Sequence, residues 1–180
     1  QNTEDVTYPR ETISNPLALN LYTLAYNDSQ QLVPLNTALK ENLRTYLSQF
    51  RMLTDAINIK TAFVVNIGVE ADIIPTPNSN SQEVILRVVN RLKELLHVDR
   101  MQINGPINIA NIMSELDKVR GVQTVAGVTI KNLFNTNTGY SKYVYDIEGA
   151  TKNGIIYPSL DPMIFEVRYP NKDIKGRIVS

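Results

Sequence analysis

Phe63-Val-Val-Asn-Ile-Gly-Val-Glu-Ala-Asp-Ile73 decides the fold of this chain. Phe63, Val65, Ile67, Val69, Ala71 and Ile73 fall on one side of an extended backbone, and Asn66, Glu70 and Asp72 on the other. Period-two alternation of this kind marks a strand with one buried face. On either side the run from Leu17 to Gly121 reads strand, helix, strand, helix, helix. It is dense in packing information and poor in residues able to do chemistry.

Upstream, residues 1–16 are polar, contain Pro9 and Pro16, and read as a linker or arm. Leu17-Ala-Leu-Asn-Leu-Tyr-Thr-Leu-Ala-Tyr26 is apolar on both faces, as a central strand is. Asn27-Asp28-Ser29-Gln30 forms a turn. A first helix is expected over 35–50, with Leu35, Leu39, Leu43, Leu47 and Phe50 on one stripe widened by Tyr46, and Asn36 or Thr37 as its cap. It ends at Thr54-Asp55, before a strand near 59–74.

Downstream, Pro75 and Pro77 interrupt the ladder. A second helix over 81–97 has capping-box spacing from Asn80 to Glu83, a wide stripe of Val84, Ile85, Val88, Val89, Leu92, Leu95 and Leu96, and an outer Glu83–Arg87 pair. Met101–Asn104 ends at the turn Gly105-Pro106. Asn108 caps a third helix that carries Ile109, Ile112, Met113, Leu116 and Val119 and closes at Gly121. Val122–Ile130 reads as a strand and 132–141 as a polar loop. Residues 143–147 and 154–157 could pair as a hairpin, and Met163–Tyr169 alternates again.

The expected architecture is therefore α+β: a mixed sheet of four or five strands packed by two or three helices, with right-handed crossovers. The domain reading is an arm over 1–16, an α/β core over 17–131 and a β-rich extension over 132–180.

Composition narrows the function. A chain of 180 residues, 43% hydrophobic, can bury a sizeable core without covalent staples. Eighteen basic and 18 acidic residues give zero formal charge, so nothing pulls it toward nucleic acid or anionic lipid, and nothing opposes association with other proteins. With no cysteine there is no disulfide, thiolate metal site or cysteine nucleophile. No apolar run approaches the roughly 18 residues of a membrane span, and the polar, Pro-containing start is unlike a signal peptide. Opening at Gln1 suggests a processed product or a fragment.

For each chemical candidate the bland reading outweighs the sharp one. His97, the one histidine, stands at a helix end beside Asp99, where a surface cation is the ordinary role. Glu70 and Asp72 share a strand face, as do Asp146 and Glu148, but solvated polar faces outnumber hydrolytic pairs. No phosphate-binding glycine motif is present, and Ser14, Ser29, Ser81 and Ser114 have no base nearby in sequence. Arg87, Arg91 and Lys93 form a basic edge that Glu83 and Glu94 interrupt. Asn27-Asp28-Ser29 is a sequon expected by chance in an Asn-rich chain. Tyr140, Tyr143 and Tyr145 with Lys142 could stack bases, but tyrosine is equally an interface anchor. Tyr140, Tyr143, Tyr145, Phe165 and Tyr169 are accordingly the candidate interface residues. No catalytic, cofactor or metal site is assigned.

The order Leu19-Asn-Leu-Tyr-Thr-Leu, the turn Asn27–Gln31, a helix ending Tyr46-Leu47-Ser-Gln-Phe-Arg51, the strand Ile59–Val69, the helix Val84–Leu96, and Ile103-Asn-Gly105 leading to Val119-Arg-Gly121-Val122 resembles the C-terminal part of the baseplate J-like family of contractile-tailed bacteriophages. The resemblance covers 17–131 and is narrowest to the large wedge subunits of the inner baseplate ring. It implies a non-enzymatic virion protein, assembled in the host cytoplasm, that dimerises, links wedges into a ring and touches other wedge proteins. It also implies a C-terminal fragment of a longer chain. Two rivals stand beside it: a ferredoxin-like module holding a peptide or small ligand, and a carboxylate-dependent hydrolase that would bring Glu70 or Asp72 together with Asp146.

Overall fold

β5 is the axis of the molecule: thirteen residues, Phe63–Pro75, on which every strand of the main sheet pairs. The computed structural model describes residues 19–50 and 57–179. In chain order these hold β1 (Leu19–Thr23), β2 (Ala25–Tyr26), β3 (Leu32–Val33), α1 (Thr37–Ser48), β4 (Ile57–Thr61), β5, α2 (Ser81–Leu95), β6 (Ile107–Asn108), α3 (Ile109–Asp117) and β7 (Val122–Asn132). There follow α4 (Ile147–Ala150), β8 (Thr151–Lys152), β9 (Ile155–Ile156), β10 (Met163–Glu166), α5 (Pro170–Asp173) and β11 (Ile174–Ile178). The arm over 1–16 and the Thr54-Asp55 boundary lie outside the described residues.

The fold is α+β with a mixed sheet. β7 runs antiparallel to β5 from Ile67↔Asn132 to Pro75↔Val122, with two register shifts. β10 runs parallel beside 63–66, and β11 parallel beside 69–73. α2 and α3 cover one face. Val84, Val88 and Leu92 of α2 and Ile112 and Leu116 of α3 share one buried cluster with Val65, Ile67, Val69, Ala71 and Ile73. Each fully buried valine, leucine or isoleucine contributes about 1.5–3 kcal/mol.

The helix starts follow the expected chemistry. Asn80 accepts from the N–H groups of Gln82 and Glu83, and Asn108 from that of Asn111. Glu83 pairs with Arg87. Gly121 (φ +95°) turns the chain from α3 into β7, and a Cβ there would meet Val84 Cγ2 at 2.6 Å. Arg91 Nη2 reaches Glu115 at 2.5 Å, bridging α2 and α3.

Several expectations are corrected. The first strand is peripheral: among the described residues β1 pairs only with β4, in a parallel two-stranded sheet separate from the main one. The strand near 59–74 divides at buried Ala62, whose N–H reaches Thr23 O, so that β4 serves the small sheet and β5 the large one. α1 does not join the other helices on the main sheet. It packs beside β4, and none of its residues is buried. The hairpin expected between 143–147 and 154–157 does not form. Asp146 caps α4 instead, accepting from Gly149 N. The hairpin is β8–β9, closed by Asn153 (φ +52°) and Gly154 (φ +76°), and β9 also pairs with β6. Positive φ at both central positions is the tight-turn geometry that suits the twist of a hairpin.

Residues 132–180 are rich in β-structure but do not stand apart. β10 and β11 complete the main sheet, and Met163, Ile164, Phe165 and Glu166 are all buried. The alternation seen over 163–169 is therefore no sign of an open face.

Candidate functional site

The five candidate interface residues form an internal aromatic layer rather than an outward patch. Phe165 is fully buried in β10, and Tyr145 stacks edge-on against it at 5.7 Å between ring centroids. Tyr143 meets Phe63 edge-on at 4.9 Å. Tyr140 is buried, meets Tyr169 edge-on at 5.4 Å, and donates its hydroxyl to Asp173 Oδ1 at 2.5 Å. Burial, reinforced by that carboxylate, pushes the Tyr140 phenol far above its ordinary pKa. Burial also raises Tyr143 and, with the charge of Asp146 added, Tyr145. Tyr169 is half-buried. These rings fasten the loop over 132–146 and the C-terminal strands to β5. Tyr140 and Tyr145 keep their apolar bodies on the core and donate their hydroxyls, to Asp173 Oδ1 and Tyr157 O. As a stacking platform they are unsuited, because Tyr140, Tyr143 and Tyr145 are each engaged edge-on by another ring.

Beneath this layer lies a buried polar network missing from the sequence reading. Glu166, 1% exposed, accepts from Leu32 N at 2.6 Å, Asn66 Nδ2 at 2.7 Å and Arg168 Nη1 at 3.3 Å. Asn66 Oδ1 accepts from Ser141 N at 2.6 Å, and Arg168 Nη1 also donates to Leu32 O. Asn132 Nδ2 donates to Asn66 O and its Oδ1 accepts from Tyr145 N. The signal was present as a polar residue inside each of two apolar runs, Asn66 after Val64-Val65 and Glu166 after Ile164-Phe165. A buried carboxylate persists only when paired and hydrogen-bonded. A cavity of about 270 Å³ opens beside the network, lined by Leu32, Val64, Asn66, Tyr143 and Arg168 among others.

The carboxylate pairs do not converge into a catalytic arrangement. Asp72 receives two bonds from Arg177, at 2.8 and 2.9 Å, which hold its carboxyl below the ordinary range. Glu70 stands 4.0 Å from both Lys131 and Arg177. Asp146 is engaged as the α4 cap, and Glu148 is exposed in the first turn of that helix. His97 caps a short 3₁₀ turn and lies 3.3 Å from Asp99. Ser29, Ser81 and Ser114 are exposed, and Ser14 lies outside the described residues. Two of the three cations on the basic edge of α2 are paired locally, Arg87 with Glu83 and Arg91 with Glu94 and Glu115, while Lys93 donates to Asn171 Oδ1. Among the described residues no group of three His, Asp or Glu side chains could hold a metal ion, and no helix is long and apolar enough to cross a membrane.

The unexpected feature is apolar. Leu19 and Tyr26, and Leu39, Tyr46 and Phe50 of α1 and its C-terminal turn, are all exposed. The helical stripe read as core-facing is thus partly uncovered, with Tyr46 and Phe50 in ring contact at 5.1 Å. Periodicity reports that a helix has an apolar face. It does not report what covers that face.

No family model matches the chain, and no curated protein matches it significantly.

Proposed function

We propose that this chain is a structural subunit of a bacteriophage tail baseplate wedge, one that associates with its own copies to link wedges into the inner baseplate ring and contacts other wedge proteins there. The order and spacing of hydrophobic elements over 17–131 carry this reading. The described elements follow that order: β1, α1, β4 with β5, α2, α3. Two further observations support it. The interior acids Glu166 and Asp173 are engaged by Leu32, Asn66, Arg168, Tyr140 and Tyr169, which suits a rigid building block. The apolar surface of the 19–50 segment suits contact with another protein. On this reading the protein transforms no substrate and resides in the virion tail after assembly in the host cytoplasm.

Sedimentation velocity of the purified chain over a micromolar series tests it. The expected result is concentration-dependent self-association. A strict monomer at high micromolar concentration removes self-association through this region.

The cavity beside Asn66 and Arg168 favours the rival reading of a ligand-holding module. A carboxylate-bearing peptide that shifts the amide signals of Val64, Asn66 and Ser141 at micromolar concentration would establish that rival instead.

A further inference from the structure

The cavity beside Asn66 is walled by one sign of charge. Among its lining residues only Lys142 and Arg168 are charged, and none is acidic. Glu166 answers one of the two cations, lying 3.3 Å from Arg168 Nη1. Lys142 has no carboxylate partner among the described residues; its ammonium lies 5.6 Å from the centroid of the Tyr143 ring. One positive charge is left over at the wall.

The unspent hydrogen-bonding capacity there is that of a donor. Arg168 Nη1 is committed to Leu32 O and Glu166 Oε2. Nε, which is buried, and Nη2 have no acceptor among the described residues. These two atoms form an edge with which a guanidinium takes a carboxylate through parallel bonds. A buried donor left unpaired is rare in a folded protein and calls for an acceptor. Ser141 Oγ accepts from Tyr143 N, and its own proton has no acceptor among the described residues. The nearby acceptors are taken, Asn66 Oδ1 by Ser141 N and Leu32 O by Arg168. An ionised carboxylate, which accepts and does not donate, fits this set. The rest of the wall is largely apolar, with Leu24, Leu32, Val33, Pro34 and Val64. An inorganic dianion offers nothing to these side chains and exceeds the single spare charge. The volume, about 270 Å³, equals about nine waters at about 30 Å³ each, room for a molecule of about eight or nine non-hydrogen atoms.

We infer that this cavity binds a short monocarboxylate with an apolar tail, its head on Arg168 and Lys142 and its tail against Leu32 and Val64. The inference goes beyond the building-block reading and leaves it standing, since a small acid held there changes no bond and covers no assembly surface.

The test titrates the isotope-labelled full chain at neutral pH with hexanoate, with its neutral counterpart hexanamide, and with acetate, which has the head without the tail. Hexanoate should shift the Val64 and Ser141 amides saturably at millimolar concentration, with hexanamide and acetate at least about tenfold weaker. Arg168→Lys, which keeps the charge but not the planar fork, should weaken hexanoate about tenfold. If that variant misfolds, Lys142→Glu decides, because its side chain is exposed and the fold does not depend on it. It should weaken hexanoate about tenfold and leave hexanamide unchanged. Equal binding of hexanoate and hexanamide overturns the carboxylate assignment, as does undiminished binding of hexanoate to Lys142→Glu. No saturable shift up to tens of millimolar overturns the site. A peptide with a free terminal carboxylate that displaces hexanoate at micromolar concentration overturns the small-acid assignment in favour of the peptide-holding rival. Self-association, measured separately, is untouched by any of these failures.

Discussion

The carboxylate of Glu166 accepts the backbone N–H of Leu32, 134 positions earlier, at 2.6 Å. One side chain in β10 thereby fixes the N-terminal segment to the main sheet, while also holding Asn66 and Arg168. Glu166→Ala leaves Arg168, already with a buried Nε that has no partner among the described residues, without its counter-charge. Breaking a buried pair from one side costs about 3–5 kcal/mol. Urea unfolding should show that loss, and hydrogen exchange should show the Leu32 amide losing protection. Glu166→Gln, which keeps shape and one acceptor, should cost about 1–2 kcal/mol.

Asn66→Asp replaces the amide donor facing Glu166 with a second carboxylate. Like charges at this distance raise the pKa of the pair in the folded state. The folded variant then binds more protons than the unfolded chain, so its stability falls as pH rises. The expected deficit is about 2–4 kcal/mol at neutral pH, shrinking as pH drops into the carboxylate range. Thermal midpoints at pH 7 and pH 5, compared with wild type, check the sign.

Gly139→Ala should be among the most damaging single-methyl changes. Its φ of +84° disfavours any side chain, and an added Cβ would run into the Tyr169 hydroxyl. Strain and collision together should cost about 2–3 kcal/mol, read as a lowered urea midpoint with an unchanged slope. Gly127→Ala, with open space around the new methyl, is the control.

The Asp72–Arg177 pair should be visible by titration. Hydrogen bonding from Arg177 holds the folded carboxyl below 3.8, so its stabilising contribution is present above that value and is lost as pH falls through the folded pKa. Solvent reaches both groups, and the effect on stability is small. Carboxyl carbon shifts should give Asp72 a midpoint below 3.8 in the wild type, moving up toward it in Arg177→Gln.

The legible parts of this fold are those set by local spacing. The buried face of β5, the stripes of α2 and α3, and the Asn80 and Asn108 caps follow from neighbours two to four residues apart. What escaped is set by partners a hundred residues away. Nothing near Phe165 shows that its strand lies parallel against 63–66 and is buried on both faces. Nothing near Leu21 shows that, among the described residues, its strand has only one neighbour. Residues 143–147 alternate like a strand, yet the bond from Tyr145 N to Asn132 Oδ1, the one from nearby Ser141 N to Asn66 Oδ1 and the Asp146 cap hold them in another shape. The tyrosines were recognised as anchors, but sequence cannot say whether an anchor grips its own core or a neighbour. The Glu166 network went unseen because its members are scattered from Leu32 to Arg168.

β5 leaves a nascent polypeptide long before β10 and β11, the strands that flank it in parallel, have been synthesised. Until then that flank of the sheet is a row of unsatisfied amides and carbonyls bordered by apolar side chains, the template on which chains aggregate. A product truncated near residue 160 should accumulate in inclusion bodies, even with every helix of the core intact.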